Sequence, residues 1–229
     1  MNKKKLLIIC DSHGTDWGCM GYAIRLKTLL SENWDTTVLA YPGKDLKKIH
    51  TSLLDENIQY YDAIVLGVGN PDVHPRMPRK IISLFKAMGI SSARDSYFSV
   101  PPKINLSYLL RLPFFIFRIL VIRLRTETYT SIQDLKKLTT QIIDYLSTKT
   151  TRLYILPIFK VCETIYGKSH NINADEINEY LFDTHQSSLI NEETISESIY
   201  RHYRNFDFFH FNDDFQEKLT KTIANNICK

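Results

Sequence analysis

Two short stretches near opposite ends of the chain hold the residue types of a nucleophilic hydrolase. Residues 8–18 read IICDSHGTDWG, which places Asp11, Ser12 and His13 directly after an apolar run, and residues 205–215 read NFDFFHFNDDF, which contains Asp207 and His210. A serine hydroxyl attacks a carbonyl well only when a base removes its proton, and the oxyanion that forms needs preorganised N–H donors. His210 is the candidate base. An Asp three residues before a histidine on a tight loop can reach its Nδ1 and fix the tautomer whose Nε2 faces the serine. Ser12 on its own has a plainer use as a helix cap, and Asp11 one as a turn organiser.

These residues need a frame that carries them to one place. Leu6 to Cys10 is wholly apolar, as suits a strand buried on both faces of a parallel sheet, and Ala23, Leu26, Leu29 and Leu30 then recur at helical spacing between about Gly18 and Glu32. Thr36 to Ala40 gives a second strand closed by Tyr41-Pro42-Gly43, with a helix through Leu46, Ile49, Leu53 and Leu54. Ala63 to Leu66 is a third strand ending in Gly67-Val68-Gly69-Asn70-Pro71, and Leu153 to Ile158 a fourth, followed by a helix around Ala174 to Leu189. Pro78 to Met88 and Ile132 to Leu146 read as further helices, and Asn212 or Asp213 as the cap of a terminal one. Alternation of this kind predicts an α/β fold with a parallel sheet and helices on both faces. Ligands of such sheets sit beyond the carboxyl ends of the strands, so the loops holding Ser12, Gly43 and Asn70 should share one cleft.

In this order the blocks resemble those of the SGNH, or GDSL, hydrolases. The family's Gly-Asp-Ser block is similar to Cys10-Asp11-Ser12, its second-block glycine falls on Gly43, its Gly-x-Asn block on the Gly67 to Asn70 turn, and its Asp-x-x-His block on Asp207 to His210. Two departures are visible: Cys10 stands where the family has glycine, and the third block carries one extra residue. The resemblance spans nearly the whole chain. It implies one domain over residues 1–229 with a flavodoxin-like three-layer α/β/α sandwich, into which the chain's own pattern places a helical, basic and apolar insertion at about 90–130. It implies Ser12 as nucleophile, His210 as base and Asp207 as its orienting carboxylate, with an oxyanion hole from the Ser12 and Gly43 N–H groups and the Asn70 side chain. His13, Gly69 and His74 lie on the same loops and are candidate substrate contacts; for His13 a solvent-facing turn position is the alternative.

The activity implied is cleavage of an O-acyl group, acetyl foremost, on a carbohydrate, with no metal or bound cofactor. The alternative on the same triad is an O-acetyltransferase of surface-polysaccharide biosynthesis, with a donor such as acetyl-CoA. A different chemistry is also open. Asp11-x-His13 and Asp72-x-His74 repeat one spacing, with Asn70 beside the second, and loosely resemble metallophosphoesterase blocks that hold a divalent metal. A non-catalytic binding protein on the same fold is the third reading.

Composition narrows the partners. The chain is 44% hydrophobic, with thirteen Tyr and twelve Phe, enough for a sizeable core. A net charge of +4, with its basic residues spread out, does not imply nucleic acid. The four cysteines form no CxxC pair, so neither a zinc site nor a disulfide framework is indicated. The apolar run after Lys3-Lys4-Lys5 is too short for a signal peptide, and Leu112 to Ile122, interrupted by Arg118, falls below the roughly 20 residues of a membrane span. A cytoplasmic protein is the expectation. Lys103 to Arg125 carries one Lys and four Arg with no acid, interleaved with Leu, Phe and Ile. Such a segment packs its apolar face on the domain, or docks on an anionic membrane surface or a pathway partner.

Overall fold

The computed structural model describes residues 3–87, 101, 104–125, 127–128, 130–190 and 193–229, with only the backbone at 85–86 and 193–194. Four strands, β1 (Lys4–Cys10), β2 (Trp34–Ala40), β3 (Ala63–Gly67) and β4 (Leu153–Ile155), form one parallel sheet in the order β2-β1-β3-β4. The helices are α1 (Tyr22–Leu29), α2 (Leu46–Asp55), α3 (Asn70–Val73), α4 (Arg79–Ala87), α5 (Leu106–Arg123), α6 (Ile132–Ser147), α7 (Glu163–Tyr166), α8 (Ser169–His185), α9 (Glu193–Ser196) and α10 (Asp213–Cys228).

Strand β1 is covered by helices on both faces, which is why its apolar run has no polar alternation. Leu7 and Ile9 point to one face, where they join Ile49 of α2, Ile142 of α6 and Ile177 of α8. Leu6, Ile8 and Cys10 point to the other, against Leu26 of α1 and Phe215, Leu219 and Ile223 of α10. The result is the expected three-layer α/β/α sandwich.

Helix α8 runs Ser169–His185 instead of the expected Ala174 to Leu189, and β2 begins two residues early, at Trp34; two further boundaries differ for a local reason. Strand β4 stops at Ile155 instead of Ile158: after the Leu156 N–H reaches Leu66 O (2.8 Å), Pro157 has no N–H to continue the ladder. The Asn178 side chain then takes over, accepting from Ile158 N (2.7 Å) and donating to Ile158 O (2.9 Å). Helix α1 starts at Tyr22, not near Gly18, because Gly18 is left-handed (φ +79°) and the Asp16 carboxylate holds Gly21 N (2.9 Å) in the loop. That loop reaches across the sheet end toward the C-terminal segment.

Much of the expected insertion lies outside the described residues, at 88–100, 102–103, 126 and 129. Its described part is α5, capped by the Asn105 side chain, which accepts from Tyr108 N (2.9 Å). Phe115 and Ile122 are buried, the latter with Met77, Val161 and Tyr166, while Leu106, Leu109, Leu110 and Leu120 are exposed. Among the described residues no helix is long and apolar enough to cross a membrane.

Candidate active site

The carboxyl ends of β1, β2 and β3 are tied together just past the ladder. Tyr41 N donates to Cys10 O (2.8 Å) and Asp11 N to Gly67 O (3.0 Å), so the loops after the three strands leave from one level. Asp11 is fully buried and works as a clamp: Oδ1 accepts from His13 N (2.9 Å), and Oδ2 from the Asn70 side-chain amide (2.9 Å) and backbone N–H (3.3 Å). Burial alone would raise its carboxyl, but the His13 imidazole and the Asn70 and His13 donors outweigh that and hold it below the ordinary value.

Ser12, the next residue, is half-buried, and its Oγ lies 3.0 Å from His210 Nε2. His210 Nδ1 lies 2.5 Å from Asp207 Oδ2. The loop achieves this by a residue sequence analysis did not single out: Phe208 adopts φ +56°, an uncommon conformation for a bulky side chain. The turn lets Asp207 Oδ1 accept from both Phe209 N and His210 N (3.0 Å each). Burial pushes the Asp207 carboxyl up, yet the His210 charge and these hydrogen bonds prevail and keep it low. With Asp207 ionised, His210 carries its proton on Nδ1 and offers the Nε2 lone pair to Ser12.

Each donor expected to hold an oxyanion has a hydrogen without an acceptor among the described residues. Asn70 is buried; its Oδ1 accepts from Phe159 N (2.9 Å) and one amide hydrogen goes to Asp11, which leaves the second. Gly43 is left-handed (φ +67°), with open space where a Cβ would stand, and among the described residues neither its N–H nor that of Ser12 has an acceptor. Gly69, at φ +112° before α3, fits against Ile158, whose Cδ1 would lie 2.6 Å from an added Cβ.

The three candidate substrate contacts, His13, Gly69 and His74, are all buried, so the solvent-facing alternative for His13 is not what the structure has. The His13 ring packs among Phe159, Phe209, Phe211 and His210, with centroids 4.9–5.7 Å away. Its Nδ1 lies 3.3 Å from Asp11 Oδ1, outside hydrogen-bonding alignment, and burial depresses its basicity against the pull of Asp11. His74 meets His170 through their Nδ1 atoms (3.2 Å), and His170 Nε2 donates to Phe159 O (2.9 Å). Burial drives His74 well below its ordinary value and His170 down to about 3. Asp72 faces elsewhere, accepting from Leu46 N (3.0 and 3.2 Å), and burial raises its carboxyl to about 7. The two Asp-x-His pairs therefore do not converge, and among the described residues no group of three His, Cys, Asp or Glu side chains is placed to hold a metal.

Cys10, the departure from the family pattern, is buried beneath Gly14, where an added Cβ would come within 2.5 Å of Cys10 Cβ and 2.8 Å of its Sγ. Burial, helped by Asp11, pushes its thiol up to about 12, so it carries no thiolate.

Several supporting residues were not singled out from the sequence. Arg204, buried, donates to the carbonyls of Phe209, Lys160 and Ser198, and Tyr166 Oη donates to Asp207 O (2.5 Å). Gln216 bridges α10 to the first loop, accepting from Tyr22 N (2.9 Å) and donating to His13 O (2.8 Å). Its signal was available: a polar residue beside Phe215, on the apolar stripe Phe215, Leu219, Ile223, needs buried partners.

No protein-family profile matches the chain, and no curated protein is significantly similar to it in sequence. Solved structures do share its fold. The α/β hydrolase LAE5 from the metagenome of Lake Arreo superposes with a TM-score of 0.61 at 11% identity, over 99% of this chain and 96% of that one. The acetylxylan esterase Axe2 of Geobacillus stearothermophilus gives 0.61 at 12% identity, over 98% and 94%. The lipase/acylhydrolase of Enterococcus faecalis gives 0.53 at 12% identity, over 98% and 95%. At such identities the likeness is one of fold, and it extends over nearly the full length of each chain.

Proposed function

We propose that this protein is an SGNH-type serine esterase that removes O-acyl groups, acetyl foremost, from a carbohydrate. One observation carries the reading: Ser12 Oγ, His210 and Asp207 form a continuous chain of contacts at 3.0 and 2.5 Å, at the carboxyl end of the sheet. His210 Nε2 takes the hydroxyl proton as Ser12 Oγ bonds to the acyl carbon, and returns it to the alcohol oxygen as the ester C–O bond breaks. Water then attacks the acyl-serine by the same proton route. Asp207 orients the imidazole and balances its positive charge. The Ser12 and Gly43 N–H groups and the second Asn70 amide hydrogen receive the oxyanion. The carbohydrate part of the proposal draws on the acetylxylan esterase among the fold neighbours.

The alternative acceptor is a sugar hydroxyl, with acetyl-CoA or a similar donor, which would make the same residues an O-acetyltransferase. The deciding experiment incubates wild type and Ser12→Ala with p-nitrophenyl acetate, with and without an oligosaccharide acceptor. Acyl-enzyme is followed by intact mass. Release to water alone supports the esterase, and an acetylated sugar the transferase. Undiminished turnover by Ser12→Ala overturns both, and loss of rate on adding a chelator favours the metal reading.

We propose further that α5 docks on an anionic lipid surface, on the strength of its exposed leucines and an acid-free stretch with four arginines. Anionic vesicles should sediment the protein at low salt and release it at high salt. Leu109→Glu with Leu120→Glu should abolish sedimentation, and equal binding to neutral vesicles overturns the proposal.

A further inference from the structure

Both edges of the His210 ring that carry nitrogen are engaged, one by Ser12 and one by Asp207, so what remains to hold the ring is its faces. One face is covered by Trp17. The indole and imidazole are stacked, with centroids 4.6 Å apart and planes 28° apart. Among the described residues His13 (5.4 Å, tilted) and Phe209 (5.3 Å, edge-on) are the other rings beside it. Trp17 is held there by its backbone: Trp17 N donates to Cys19 O (3.2 Å), and Trp17 O accepts from the Asn205 side chain (2.7 Å). Asn205 in turn donates to Phe211 O through its side chain (2.8 Å) and to His210 O through its backbone N–H (2.9 Å). One residue thus fastens the first loop to the backbone at His210 and Phe211.

An aromatic face attracts a cation, and the attraction strengthens as water is excluded. When His210 takes the Ser12 proton its ring becomes cationic against the indole. The groups that face it and titrate or carry charge are Asp207 and Arg204 from the C-terminal loop and His13, backed by Asp11, from the first loop. Asp207 binds the ring in its plane, and the indole is the group that meets it face-on.

We propose that Trp17 is a positioning residue for His210, holding the imidazole plane with Nε2 toward Ser12 and stabilising the imidazolium formed when the serine proton is taken. The kinetic part rests on the esterase reading; the stack itself does not, and the test separates the two. The chain has two tryptophans, Trp17 and Trp34, so Trp34→Phe leaves Trp17 as the sole indole emitter. An imidazolium in contact with an indole quenches its fluorescence far more than neutral imidazole does. In Trp34→Phe, emission should fall on acidification through a single titration, and that titration should vanish in Trp34→Phe with His210→Gln. Its persistence without His210 overturns the contact.

In the otherwise native chain, Trp17→Leu should lower kcat about tenfold with little change in KM, and Trp17→Phe should restore most of it. The acid limb of kcat/KM should move to lower pH in Trp17→Leu, because the cationic ring has lost a stabilising neighbour. Trp34 emission and near-ultraviolet circular dichroism check that Trp17→Leu is folded. A folded Trp17→Leu with an unmoved acid limb and an unchanged kcat overturns the positioning role. If wild type cleaves no ester, the esterase reading has failed, while the fluorescence titration still decides whether the stack exists.

Discussion

Three Asp/His pairs look alike in the sequence and have three different fates. Asp207 and His210 meet at 2.5 Å with the imidazole partly exposed and its far nitrogen on Ser12. Asp11 and His13 lie 3.3 Å apart, fully enclosed, and the carboxylate spends its lone pairs on Asn70 and on backbone. Asp72 and His74 face different elements altogether. Spacing gives part of the distinction, since two of the pairs are Asp-x-His and the pair set on a serine is Asp-x-x-His. What marks the chemically poised pair is an imidazole with one nitrogen on a carboxylate and the other on a hydroxyl that still reaches solvent-accessible space. The second pair serves as architecture for the first, since Asp11 fixes Asn70.

The comparison breaks most sharply by substitution of the poised pair. Ser12→Ala and His210→Gln should each lower kcat on an acyl ester by about ten-thousandfold or more, and Asp207→Asn by about a thousandfold, while the folded state persists. Steady-state kinetics beside circular dichroism checks this; a comparable loss in His74→Gln would erase the distinction.

Acid should come next in size. His13, His74 and His170 are held neutral by burial, so the unfolded chain binds protons that the folded one does not. Stability conferred at neutral pH is therefore lost as pH falls below about 6.5, for His170 by about 1.4 kcal/mol per pH unit down toward its folded value of about 3. The low carboxyls of Asp11 and Asp207 add a further loss below their ordinary range, near pH 3.8. Denaturant midpoints between pH 4 and 8 should follow this slope, and His170→Gln should flatten it.

Asp11→Ala should cost about 3 kcal/mol in urea unfolding, because it strands the His13 and Asn70 donors in a buried site. It should also lower kcat about a hundredfold through a displaced Asn70. A stable variant with full activity would remove Asp11 from the supporting role. The smallest effect has the opposite sign. Asp72 is raised to about 7, so its contribution is present below pH 3.8 and lost as pH rises through 7. Asp72→Asn should thus gain about 1 kcal/mol at pH 8 and little at pH 4, read from the same unfolding curves.

The sheet and its flanking helices were legible in the sequence because their signals are local: apolar runs at 6–10 and 63–66, helical spacing through Leu46 to Leu54, and the Asn212 cap, whose side chain accepts from Phe215 N (3.1 Å). Ser12, Asp207, His210 and Asn70 were legible because chemistry restricts their types and the topology restricts their loops. What was not legible depends on enclosure by distant segments. His13 is buried only because Phe159, Phe209 and Phe211 arrive from two other parts of the chain. Trp17 acquires its meaning from Asn205, and the chain after β4 is held at Ile158 by a side chain of α8.

Cys10 and Gly14 occupy one side chain's worth of volume between them. With Cys10 Cβ and Sγ on one side and the Tyr22 ring 2.9 Å away on another, a Cβ at position 14 has no room, so this chain needs glycine there. Inhibition by an alkylating reagent would consequently report on the partly exposed Cys19 or the exposed Cys228, and would say nothing about a sulfur beside the serine.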